Sequence, residues 1–220
     1  MKWVFRLERK LGSRFGIPNL MIYITAPMFA AYALWFIGFY TLPYYMVIFR
    51  EQVMAGEVWR LATFLVMPQF TTNVFFALLG ILVSYFLGSA LEREWGKTLF
   101  TMYFIFGALG AIIAAMIAGA GTNNFLLSSI LLAYAYVYPD ATFLLFMILP
   151  VKAKYLAYVM WGFYIYFFIT GNMASRLAIV FSLLNFFLFF GPNVLRTTKQ
   201  SYRRFKRRKQ FRQNWGDNWR

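Results

Sequence analysis

The chain has 220 residues, of which 61% are hydrophobic and only 13% charged, with a mean hydropathy of +0.59. A soluble domain is about half apolar and about a quarter charged, so this composition cannot furnish a water-facing surface and excludes a soluble globular protein. Cysteine and histidine are both absent. That excludes disulfides, thiolate chemistry, Cys or His metal ligands and imidazole acid–base catalysis. No cofactor or metal is expected.

In chain order, residues 1–11 alternate Trp3, Val4, Phe5, Leu7 and Leu11 with Lys2, Arg6, Arg9 and Lys10. The pattern predicts a short amphipathic helix on the inner membrane surface, stopped by Gly16 and Pro18. It is not a cleavable signal, because the apolar run that follows is too long and no cleavage pattern separates it from the rest.

A spanning helix needs about 20 mostly apolar residues. Six stretches qualify: 20–40 (containing Pro27), 73–91, 98–120, 124–138, 155–170 and 177–195, the fourth and fifth being short. The segment 143–149 is apolar but too short to span, and either extends a neighbouring helix or dips into the interface. With the N-terminus inside, 19 of the 22 basic residues fall on the inner side, leaving Arg50, Arg60 and Arg176 outside. This positive-inside bias fits six spans with both termini cytoplasmic. The expected fold class is an all-α polytopic membrane protein. It would comprise an inner segment (1–19), a six-helix domain (20–195) and a basic tail (196–220), seated in the plasma (inner) membrane of a bacterium.

Residues 41–72, between the first two spans, form a connection far longer than usual and unusually apolar. Two short amphipathic helices partly embedded in the outer leaflet would satisfy their own backbones, as membrane depth requires. Trp59 suits the interface. Arg60 can either snorkel to headgroups or donate to buried carbonyls nearby.

Here the residues carry a resemblance. Gly56-Glu-Val-Trp59-Arg60-Leu-Ala-Thr63-Phe64 resembles the Trp-Arg motif in the first loop of the rhomboid superfamily, and its catalytically dead Derlin members share a similar pattern. Gly88 to Gly96 resembles the end of the second rhomboid helix. Tyr103-Phe-Ile-Phe-Gly107-Ala-Leu-Gly110-Ala resembles the third. Tyr138-Pro139-Asp140 and Leu149-Pro150-Val151-Lys152-Ala153-Lys154 resemble the end of the fourth helix and the turn into the fifth. The matches run in family order from residue 56 to 154. The resemblance implies a six-helix rhomboid-like bundle with a membrane-embedded first loop.

A rhomboid protease uses a serine opening the fourth helix and a histidine from the sixth. The serine needs that base to take its proton, and this chain has no histidine. The resemblance places the nucleophile position at Asn123 or Asn124, where an amide replaces the serine. Ser128 and Ser129 lie one turn deeper, but no lysine lies within a span to serve them. The only aspartates, Asp140 and Asp217, cannot face each other as a protease pair, and no zinc ligand set exists. The resemblance therefore implies an inactive homologue, a pseudoprotease that binds transmembrane segments of client proteins without cleaving them. The runner-up is a lipid-handling protein or a transporter of small neutral solutes; an active intramembrane serine protease is disfavoured by the missing histidine.

Asn123, Asn124, Ser128 and Asn185 are the candidate cavity-lining and client-contacting residues. Gly107, Ala111, Ala115 and Gly119 form a small-residue stripe on the third span. Such a stripe packs another helix of the same bundle or, as the lesser reading, a second copy of the chain. The tail carries ten basic residues with aromatics interleaved. It reads first as an anchor on anionic lipids; ribosomal RNA or an acidic partner are lesser readings.

Overall fold

The computed structural model describes residues 16–145 and 149–190. The amphipathic segment expected at 1–11 and the tail from 196 lie outside the described residues. Among the described residues the protein is all-α, with nine helices. They are α1 (Leu20–Phe36), α2 (Leu42–Met46), α3 (Arg50–Met54), α4 (Arg60–Thr63), α5 (Val74–Trp95), α6 (Lys97–Ala118), α7 (Asn124–Val137), α8 (Ala153–Thr170) and α9 (Met173–Phe190). Three of these, α5, α6 and α9, are long and apolar enough to cross a membrane, and α1 and α7 are shorter apolar helices. Large side chains such as Phe75, Phe86, Phe106, Ile117, Tyr166 and Leu184 stand exposed on the long helices. Exposed apolar belts of that extent belong in lipid rather than water. The chain is a multi-pass membrane protein.

The helices begin and end for local reasons. Asn19 takes a left-handed conformation (φ 54°), and its backbone N–H donates to Glu92 Oε1 at 2.6 Å while that of Leu20 donates to Oε2 at 3.1 Å. A carboxylate on the last turn of α5 thus caps α1, meeting two of the orphan donors and the positive end of its dipole. Gly96, at φ 80°, separates α5 from α6 by one residue, a turn that a side chain would resist. At this end of the bundle Trp95, Tyr103, Tyr136, Phe186, Phe189 and Phe190 interlock. Trp95 to Phe190 is 5.2 Å, Tyr103 to Phe189 5.2 Å and Tyr136 to Phe190 4.9 Å between ring centroids. Such pairs add about 0.5–1.5 kcal/mol each beyond burial, and they join α5, α6, α7 and α9.

The connection from α1 to α5 differs from the two amphipathic helices expected. It folds as α2, a two-residue strand β1 (Ile48–Phe49), α3, α4 and a 3₁₀ turn (Phe64–Val66). Strand β1 pairs antiparallel with β2 (Ala120–Gly121), which sits between α6 and α7. Of the stretch 143–149, the described residues do not extend a helix: β3 (Thr142–Leu145) pairs antiparallel with β4 (Leu149–Lys152). Pro139 and Pro150 explain why the helix does not continue: each lacks an N–H and disfavours helix before it.

Candidate functional site

Arg60 is the largest fully buried side chain of the described residues. Its Nε donates to Glu57 Oε2 at 2.6 Å, and its Nη1 donates to the carbonyls of Tyr44 at 2.5 Å and Val47 at 2.9 Å. The guanidinium lies 5.1 Å from the centre of the Tyr44 ring and 5.8 Å from those of Tyr45 and Phe49. Of the two roles expected for Arg60, donation to buried carbonyls is the one realised. A planar cation with five fixed donors suits that task and lysine does not. Trp59 is half exposed, as suits an interfacial tryptophan.

Asn123 is buried at the mouth of α7. Its Nδ2 donates to the carbonyls of Leu65 at 3.2 Å and Met67 at 2.8 Å. With β1–β2 and the Arg50 N–H donating to Gly119 O at 2.9 Å, the first loop is fastened to the α6–α7 connection at both of its ends. Asn124, the next residue, is exposed, and its Oδ1 accepts from Gln69 Nε2 at 3.4 Å. The two asparagines thus divide into one buried against the first loop and one exposed.

The other polar residues run down the bundle. Ser129 is buried and its Oγ donates to Leu126 O at 2.7 Å, the back-bonding of a helical serine. Ser128 is half-buried on the same helix. Asn185 is buried on α9, where its Nδ2 donates to Tyr103 O at 3.2 Å while Oδ1 has no partner. A second strip was not legible from the sequence. Tyr164 Oη on α8 and Ser182 Oγ on α9 share a hydrogen bond of 3.0 Å, and Ser182 Oγ also donates to Phe125 O on α7 at 2.9 Å. Ser182 and Asn185 stand three residues apart, a spacing that puts both on one face of α9; that spacing was the available signal.

The small-residue stripe is used inside the chain. A Cβ on Gly107 would lie 2.5 Å from Leu126 Cδ1 and 2.8 Å from Asn185 Nδ2, and Ala115 packs against Gly121. Two cavities are formed by other residues. One, of about 440 Å³, is an apolar cleft between α1 and α5 lined by Thr25, Phe29, Phe75, Leu78, Ile81 and Tyr85. The other, of about 410 Å³, lies between α3 and the end of α6.

Among the described residues no group of three or more His, Cys, Asp or Glu could hold a metal ion. No family model matches the chain, and no curated protein is similar to it.

Proposed function

We propose that the protein is a rhomboid-like pseudoprotease of six spans that binds transmembrane segments of other membrane proteins and stabilises, retains or hands them over uncut. The observation that carries this reading is the state of Asn123. At Asn123, one of the two positions where the resemblance puts a nucleophile, a buried amide gives its Nδ2 to two carbonyls of the first loop, and no imidazole exists anywhere to activate a replacement. A site that cannot cut can still bind.

The peripheral position of α8 supports an entry route. Only Ala153 and Tyr164 of its 18 residues are buried; the Tyr164 hydroxyl, the Arg176 guanidinium on the Ile169 carbonyl at 3.0 Å and a few ring contacts hold it to α7 and α9. Moving it aside would expose Phe125 and Ser128 beside the already exposed Asn124. A client helix with a polar or helix-weakening residue is poorly satisfied in lipid and gains from meeting such groups.

The apolar cleft between α1 and α5 favours a second reading, lipid handling. Its lining is almost wholly apolar side chains, with Thr25 and Tyr85 the only polar members, which suits an acyl chain.

Photo-crosslinking from Asn124 and Phe125 in native membranes separates the two. Recurrent capture of single-span proteins is the result expected. Capture of lipid alone would replace the client reading with the lipid one.

A further inference from the structure

The cavity between α3 and the end of α6 is unlike the rest of the membrane domain. Arg50, Glu51 and Gln52 form one wall; Ile117, Ala118 and Gly119 form the other, and Phe49 closes an edge. Arg50 and Glu51 carry opposite charges, yet neither has an ion-pair or side-chain hydrogen-bond partner among the described residues. Gln52 Nε2 donates to Tyr44 Oη at 2.9 Å, which leaves Gln52 Oε1 buried with no donor. The α6 side of the cavity is the carbonyl end of a 22-residue helix, where the macrodipole is negative. Tyr40, Tyr44, Tyr45 and Trp59 are exposed in the same loop, and such aromatics mark the level of lipid headgroups.

The cavity therefore sets a cation and a carboxylate side by side on one wall, across from a helix C-terminus. That pattern is complementary to a zwitterion. We infer that this cavity binds a single phosphoethanolamine headgroup of a membrane lipid, with the phosphodiester on Arg50 and the primary ammonium on the carboxylate oxygens of Glu51. An ammonium has three N–H donors to give to those oxygens. A quaternary choline has none, and an uncharged glycerol headgroup leaves the carboxylate unpaired. Phe49 and Ile117 flank the polar groups and suit the first carbons beyond the phosphate.

The test is native mass spectrometry of the full chain in detergent with phosphatidylethanolamine, phosphatidylcholine and phosphatidylglycerol of identical acyl chains. The expected result is preferential retention of one phosphatidylethanolamine. Arg50→Gln should lower that retention about tenfold, the loss of one charge-assisted contact worth about 1.4 kcal/mol. Glu51→Gln should erase the preference over phosphatidylglycerol while leaving total lipid retention nearly unchanged. Both side chains are exposed, so both variants should unfold at the wild-type temperature. Equal retention of the three lipids, or retention unaltered by either substitution, overturns the proposal. Displacement of the lipid by an equal concentration of soluble glycerophosphoethanolamine would overturn the assignment to a membrane lipid.

Discussion

The first loop and helix α8 are both apolar and both peripheral, but they are held in opposite ways. The loop, which lacks the length for a spanning helix, is fixed by polar groups turned inward: Arg60 on the carbonyls of Tyr44 and Val47, Asn123 on those of Leu65 and Met67, and β1 on β2. Helix α8 satisfies its own backbone and needs no such fastening; among the described residues Tyr164 is its buried polar residue, bonded to Ser182. Irregular backbone at membrane depth must be hydrogen-bonded by its surroundings and so becomes rigid, whereas a regular helix is free to be loosely attached. In a protein that admits other helices, the loop is then the fixed wall and α8 the movable one.

The sharpest way to break this contrast is Arg60→Met. It strips two loop carbonyls and Glu57 of their donor inside an aromatic cage, and should destabilise the protein by roughly 3 kcal/mol. A thermal melt in detergent should show a clear drop with membrane insertion retained. Asn123→Ala removes two donors and should cost about 2 kcal/mol by the same melt. Asn123→Ser restores the nucleophile type without a base, and fluorophosphonate labelling of that serine should stay at background. Tyr164→Phe deletes one hydroxyl bond worth about 1 kcal/mol. Its effect should concentrate in faster hydrogen exchange along α8, with the loop unchanged.

The smallest effect expected is at the hairpin. Asp140 is held below the ordinary value of 3.8 chiefly by its hydrogen bond from Lys152, with the charge of Lys154 adding to it. A depressed carboxylate stabilises the folded form above its unfolded pKa and loses that contribution as pH falls through the folded one. The loss therefore belongs below about pH 4. Asp140 is fully exposed, so the effect should be small and vanish in high salt. Melts of Asp140→Asn and wild type at low ionic strength should differ slightly at pH 6 and converge in acid.

The sequence made the helices legible more readily than their partners. Each of the six stretches marked by hydropathy holds a helix, though only α5, α6 and α9 are long and apolar enough to cross a membrane; hydropathy also cut the second at Leu91, whereas α5 continues through Glu92, Arg93 and Glu94 to Trp95. Charges end an apolar run without ending a helix, and Glu92 is retained there because it caps α1 from 72 residues away in sequence. The last helix was expected to start at Leu177 and starts at Met173, because Arg176 hid its first turn. The hairpin was illegible because residues 143–149 contain no polar turn signal. The engagement of Asn123 could not be read either: an amide at the opening of a helix is equally a cap, a ligand or a clamp until the loop carbonyls are placed beside it. Ser182 and Tyr164 looked like isolated hydroxyls in apolar helices, and only the packing of α8 on α7 and α9 joins them.

The absence of native cysteines permits paired spin labels at introduced cysteines without background. Double electron–electron resonance in lipid bilayers, with one label fixed at Ile113 on α6 and the other at Met54 in the loop or Phe163 on α8, tests the fixed-wall and movable-wall account directly. All three positions are exposed. A narrow distance distribution to Met54 and a broad or two-peaked one to Phe163 is the predicted result. Equal widths, or a loop broader than α8, would contradict it.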